Sequence, residues 1–211
     1  MLLSLASIYC FVRKALIQQL PTMSNLLRWG KSTCNLCPLC QQVQTNKHVF
    51  SNCSSPVVLD RYKRRHNAVL HIFGNWLKST LIAGAKLYAD IPDFAPLSDL
   101  FSTLRPDIAV THNSTVYVWE LTICHESNFR KSKDYKLMKY KYIKENLHVQ
   151  YLDFNVDLNT LEMSVLGFMS NSSNFVSKVA LEQLPESVYA NVIRNVIYNS
   201  YNIYLNRNNA S

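Results

Sequence analysis

The sequence has no apolar run long enough to cross a bilayer, comparatively few acids, and no internal repeat. Its most apolar stretch, Met1 to Val12, falls well short of the roughly 20 residues that a spanning helix needs. It also lacks the basic flank and small-residue cleavage site of a secretory signal, so neither a membrane anchor nor a leader is expected. An amphipathic helix buried on one face, running through Ala15-Leu16-Ile17 to a stop at Pro21, accounts for it better. The 14 Asp and Glu are outnumbered by 22 Lys and Arg, giving a formal net charge of +8. That imbalance points to a polyanionic partner, nucleic acid first. A disulfide framework is missing too. Cys34, Cys37, Cys40 and Cys53 crowd one short segment that also holds His48, and Cys10 and Cys124 stand alone. Such clustering fits metal ligation in a reducing compartment, hence an intracellular and nuclear chain in which the sequons at Asn113 and Asn171 are chance matches.

The length suits one ordinary domain with a small accessory module. Residues 1–30 read as helical, 31–58 as a loop-rich segment that needs a metal to fold, 59–170 as the main domain, and 171–211 as a helical tail. Between Asp60 and about Leu81, Tyr62, His66, Val69, Leu70, Ile72, Phe73, Trp76 and Leu77 recur at three and four residues, which predicts a long one-faced helix. A strand at Lys86–Asp90 follows, then strands beginning at Asp107 and Thr115, and a basic helix from Ser127 to Glu145. Strands are expected at Leu147–Phe154 and Leu161–Phe168, and tail helices at Phe175–Leu184 and Val188–Tyr204. Helix, three strands, helix, strand is an α/β order, in which acids at strand ends are commonly functional.

Two acids stand at such ends. Asp107 opens Asp107-Ile108-Ala109-Val110, and Glu120 closes Thr115-Val116-Tyr117-Val118-Trp119-Glu120. The turn-prone His112-Asn113-Ser114 predicts a hairpin that brings the two carboxylates together, where they repel unless a cation lies between them. Both are hard oxygen donors suited to Mg2+ or Mn2+, which could polarise a phosphoryl group. A lysine two residues after the second acid, the common restriction-enzyme pattern, is absent, because that place is Thr122. The following helix instead carries Lys136, Lys139 and Tyr140 on one face. Glu126, at the foot of that helix, is a further candidate ligand. Taken singly, each feature has an ordinary structural explanation: a turn-forming Asp, a paired Glu, a solvated lysine face. Their order along the chain favours a functional site.

Cys37-x2-Cys40-x7-His48-x4-Cys53 supplies three thiolates and an imidazole, a full tetrahedral set for structural zinc. Cys34-x2-Cys37 has the same knuckle spacing, so Cys34 competes for a place; the Pro38-Leu39 pair between Cys37 and Cys40 favours the latter two. Immediately downstream, Arg61, Lys63, Arg64, Arg65, His66 and Asn67 put cations beside the knuckle, suited to phosphate contacts or simply to solvation.

In order, Leu20-Pro21-Thr22-Met23-Ser24-Asn25-Leu26-Leu27-Arg28-Trp29-Gly30, the Cys-Cys-His-Cys knuckle, Arg65-His66-Asn67, Arg105-Pro106-Asp107, Glu120 and Lys136-x2-Lys139-Tyr140 resemble one known arrangement. It is the C-terminal region of reverse transcriptase polyproteins from non-LTR retrotransposons with a restriction-like endonuclease, matched from about Ala15 to about Gly167. The resemblance implies a restriction-endonuclease-like PD-(D/E)xK core behind a zinc knuckle, with residues 1–30 corresponding to the end of the polymerase thumb or linker. It further implies that the protein nicks target DNA, with Asp107 and Glu120 on the metal, Lys136 as a displaced catalytic lysine, and Lys139 and Tyr140 assisting. Arg65-His66-Asn67 and Arg105 would lie near DNA, and element RNA is a second candidate partner. A polymerase domain and its Asp-Asp pair are lacking, so the chain is expected to be a fragment or a domesticated copy that cannot copy RNA. The competing expectations are a non-catalytic nucleic-acid-binding module and an inactive relic.

Overall fold

The computed structural model describes residues 4–94, 104–150, 155–170 and 178–210. The chain begins with α1 (Leu5–Leu16), started by Ser4, whose hydroxyl accepts the Ser7 amide, and α2 (Met23–Arg28), started by Thr22. Both caps satisfy amides that a helix end otherwise leaves bare. A small hairpin joined by the Leu36↔Val43 bridge follows, then a single π-helical turn at His48–Asn52. Pro56, with its fixed φ, opens α3 (Pro56–Thr80), a helix of 25 residues.

Among the described residues four strands form one sheet in the order β1 (Lys86–Ala89), β2 (Ile108–His112), β3 (Thr115–Cys124), β4 (Asn155–Ser164). The first three pair antiparallel and β3 pairs parallel with β4, as the intervening α4 (Phe129–Gln150) permits. Asn113 and Ser114, at φ 45° and 57°, make the tight β2–β3 turn. Two consecutive left-handed residues match the twist of a hairpin, and Asn tolerates that region well. The chain closes with α5 (Glu186–Leu205).

Alternation divides the sheet into two faces. Ile108, Val110, Trp119, Leu121, Leu161 and Met163 point to one face, where Val69, Leu70, Phe73 and Leu77 of α3 and Val192 and Val196 of α5 complete the main core. Ala109, Val116 and Val118 point to the other face and meet Tyr140 of α4. Glu120 shares this second face by parity. The far half of α5 has another partner: Tyr201 and Tyr204 lie 5.0 and 5.6 Å from the Phe11 ring of α1. One helix thus covers both the sheet and the N-terminal segment.

The expected order of helix, three strands, helix and strand is present in a mixed α/β fold. The strand expected at Leu147–Phe154 is not: residues 147–150 are the last turn of α4, and 151–154 lie outside the described residues. The parallel partner of β3 is Asn155–Ser164, of which the sequence reading had only the end. Asn155, Asp157 and Asn159 look like turn formers, yet ten consecutive pairings with β3 override that preference. The helix expected at Phe175–Leu184 begins outside the described residues, and at Ala180 the chain instead bridges Leu81.

Phe73 and Trp119 meet edge to face at 4.7 Å, joining α3 to the sheet at the centre of the main core. Phe73→Ala should cost about 3–5 kcal/mol, read from the denaturation midpoint, because it removes this contact and leaves a cavity.

Candidate functional site

Asp107 sits immediately before β2, and Glu120 lies in β3 where Trp119 is the last residue paired with that strand. The two residues brace one another. The Asp107 amide donates to Glu120 Oε1 at 3.0 Å, and the Leu121 amide donates to Asp107 Oδ2 at 2.8 Å. From α4, the Lys136 ammonium reaches between them, donating to Glu120 Oε2 and lying 3.3 Å from Asp107 Oδ2. Tyr140, one turn further, donates to Arg105 O at 3.1 Å, and Lys139 Nζ donates to the Tyr140 hydroxyl at 3.1 Å. The helix therefore lowers a lysine and a tyrosine onto the carboxylates at i, i+4 spacing. Thr122 stands two residues after Glu120, and the ammonium beside the two acids comes from Lys136 of α4.

His66 also joins this cluster. Its Nε2 lies 3.3 Å from Asp107 Oδ2 and 3.2 Å from Leu121 O, and Asn67 Oδ1 is 3.4 Å from its other nitrogen. Sequence reasoning assigned His66 to a DNA surface. Its position four residues before Leu70 and seven before Phe73, on the same face of α3 as the core stripe, was the available signal that it faces the sheet.

The electrostatics follow from the geometry. Burial raises Glu120, which is 1% exposed, and the neighbouring Asp107 charge raises it further against the pull of Lys136. Burial also acts to raise Asp107, but His66, Lys136 and the Leu121 amide outweigh it and hold that carboxyl below its usual range. Burial works against charging Lys136 and His66, yet the carboxylates keep both above their ordinary values. Two adjacent acids pushed apart in this way, with an ammonium between them, form a polarised site in which one carboxylate is firmly ionised.

The remaining expected residues are dispersed. Glu126 lies in the 3-10 turn beyond β3, 47% exposed and 3.7 Å from His125. Cys124 lies four positions beyond Glu120 along β3, about 13 Å at the rise of a strand, and Glu126 lies further still. Glu126 is therefore not placed to share a cation with Asp107 and Glu120. Arg65 departs furthest from a DNA surface: it is 1% exposed, and its guanidinium donates to Phe50 O, Ile123 O and Ser200 Oγ. Arg61 donates to Asn206 O and Asn209 O beyond α5, Arg64 pairs with Asp60 on the surface, and Arg105 pairs with Asp90 at 2.6 Å. Lys63 is exposed.

A second cluster is built by the hairpin and the π-helical turn. The ligand atoms of Cys37, Cys40, His48 and Cys53 all lie within 4.8 Å of one another, while Cys34 is exposed outside the group. Cys40 Sγ lies 3.3 Å from His48 Nε2 and 3.6 Å from Cys53 Sγ. Those separations are close to the edges, about 3.5 and 3.8 Å, of a tetrahedron with zinc–nitrogen and zinc–sulfur bonds of roughly 2.0 and 2.3 Å. Burial lowers His48, which keeps the imidazole in its neutral, ligating form, and pushes the Cys53 thiol up to about 12. Zinc binding must therefore displace a proton from Cys53. The Tyr62 hydroxyl fixes the far side of the cluster, within 3.0 and 2.8 Å of His48 O and Val49 O, and accepts the Cys53 amide at 3.3 Å.

Residues 5–57 match the zinc-binding domain of reverse transcriptase. No curated protein matches the chain. The N-terminal part is thus a reverse-transcriptase-related zinc-binding module, with its four ligands gathered in space. Among the described residues no helix is long and apolar enough to cross a membrane.

Metal analysis of the purified protein should return one zinc per chain, unchanged in Cys34→Ser and lost in Cys37→Ser or Cys53→Ser. Without divalent cation, the His66 ring should titrate above an ordinary histidine, as followed by NMR, and Asp107→Asn should remove the rise. Because the folded value is the higher one, this interaction stabilises the metal-free protein fully below about pH 6.5. Its contribution fades as pH rises through the folded value.

Proposed function

We propose that the chain is a divalent-metal-dependent DNA endonuclease of retrotransposon origin, using a restriction-like PD-(D/E)xK site behind a structural zinc module. The observation that carries the reading is the convergence of Asp107, Glu120 and Lys136 on one sheet face from three separate elements. The zinc-module match supports the element family and a nucleic-acid partner, with DNA first and element RNA second.

Asp107 and Glu120 are the residues that would hold Mg2+ or Mn2+, and the donor chemistry fits: two hard carboxylates with their charges already gathered toward a cation. The bound ion would polarise the phosphodiester and supply a hydroxide at neutral pH. Lys136 holds a full positive charge beside both carboxylates and would stabilise charge developing on the phosphoryl oxygens. Asp107, held ionised, stays a ligand at neutral pH, whereas Glu120 with its raised affinity for a proton depends on Lys136 or the ion to remain charged. Tyr140 and Lys139 fix the carbonyl of Arg105, next but one before Asp107, and so steady the first acid.

A second reading, binding without cleavage, is favoured by the zinc module alone. Nicking of supercoiled plasmid separates the two. With Mg2+ the wild type should convert plasmid to open circles. Lys136→Ala should slow this on the order of 10²–10³-fold, the usual effect of removing one charge-stabilising group, and Asp107→Ala or Glu120→Ala by at least as much. Equal conversion by wild type and all three variants would sink the nuclease reading. Salt-dependent DNA binding that is undiminished in the variants, with no nicking by any protein, would establish the binding module.

A further inference from the structure

The register of β3 exposes a problem that α3 solves. Pairing with β2 stops at Ile108↔Trp119, while pairing with β4 continues to Cys124↔Ser164. From Leu121 onward, the β2 side of β3 is therefore an edge whose amides and carbonyls have no strand partner among the described residues, and buried backbone groups in that state are costly. Side chains replace the strand. The Leu121 amide goes to Asp107 Oδ2, Leu121 O lies 3.2 Å from His66 Nε2, and Ile123 O accepts from Arg65 at 3.2 Å. Consecutive residues of α3 thus take consecutive inward carbonyls of the same strand edge.

The same arm of Arg65 also reaches the zinc module. The Nη2 group that meets Ile123 O donates to Phe50 O at 2.9 Å, in the π-helical turn between the zinc ligands His48 and Cys53, while the other arm, Nη1, donates to Ser200 Oγ of α5 at 3.1 Å. Its guanidinium also lies 5.4 Å from the Tyr62 ring centroid, and the Tyr62 hydroxyl braces His48, Val49 and Cys53. The four metal ligands thereby set the position of the Phe50 carbonyl, and that carbonyl helps set the place of Arg65.

We propose that Arg65 is a positioning residue that makes the geometry of the carboxylate site depend on zinc: it locks the zinc turn to the β3 edge and so fixes the rotation of α3 that carries His66 to Asp107. Loss of zinc frees the Phe50 carbonyl, Arg65 loses one of its three anchors, and the Leu121–Cys124 edge loosens where it supports Asp107. The catalytic consequence rests on the nuclease reading; the structural coupling does not.

Hydrogen exchange on the full chain tests the coupling without using catalysis. Amides of residues 119–124 should exchange at least about tenfold faster in Arg65→Met than in wild type, with one zinc per chain retained and duplex DNA affinity within about twofold. Arg65→Lys should restore part of the protection. Wild type stripped by a chelator should show the same acceleration at 119–124, and stripping Arg65→Met should add little there. Unchanged exchange at 119–124 on zinc removal would overturn the proposal. So would an Arg65→Met protein that loses DNA affinity tenfold with its exchange intact, which would return Arg65 to phosphate contact. Should Arg65→Met fail to fold, the stripped wild type and Arg65→Lys decide the matter. Wild type that never nicks DNA would defeat the nuclease reading and leave these exchange results to stand or fall by themselves.

Discussion

Everything near the second face of the sheet is arranged around one electrostatic constraint: two carboxylates, both largely buried, occupy adjoining positions. Neither can be removed from water beside the other without a positive group, since like charges at that range in a poor dielectric repel strongly. Lys136 meets the constraint from above and His66 from the side. The position of α4 follows, because a helix delivering Lys136 to Glu120 and Asp107 also delivers Tyr140 to the irregular segment before Asp107 and packs it against Val116 and Val118. The acid pair thus organises packing as well as chemistry.

The opposite face answers to ordinary hydrophobic burial. α3 contributes a stripe of large apolar side chains to one core and, nearer its start, polar side chains to a different task. Tyr62, Arg65 and His66 occupy one turn and touch, respectively, the zinc turn, both the zinc turn and the sheet edge, and the first catalytic candidate. A buried guanidinium is expensive unless its donors are met, and burial brings Arg65 down to about 10, still charged at neutral pH. Two carbonyls and a hydroxyl meet the two Nη groups at a junction between three parts of the chain, while Nε has no hydrogen-bond partner among the described residues.

Much of this was legible in the residues, and for physical reasons. Zinc ligands must recur at fixed spacings because a tetrahedron is small, so Cys37, Cys40, His48 and Cys53 could be named from spacing, and Cys34 set aside on the Pro38-Leu39 turn. The β2–β3 hairpin and the α3 stripe were readable because turn chemistry and helical periodicity are local. Arg65 and Glu126 were not. A basic run and an acid near a helix start look alike whether they face water or protein, and only the long-range fold decides. Arg65 was assigned to phosphate because its partners, Phe50, Ile123 and Ser200, are distant in sequence. Asn155–Ser164 was misplaced for a related reason: its strand character comes from the neighbour it pairs with, and its own asparagines and aspartate argue against it.

The position of α5 bears on how such a module can be rearranged between proteins. Its first half closes the sheet core through Val192 and Val196, and its second half closes the N-terminal core against Phe11. Just beyond it, Asn208 holds Gln44 and Arg207 holds Pro21 O. The zinc unit is contiguous in sequence and looks like a cassette, yet part of its packing surface is supplied from the opposite end of the polypeptide. A recombination that moved residues 5–57 alone would take Tyr201 and Tyr204 from Phe11, Asn208 from Gln44 and Arg207 from the Pro21 carbonyl, so the zinc unit keeps its full packing only in the company of α5.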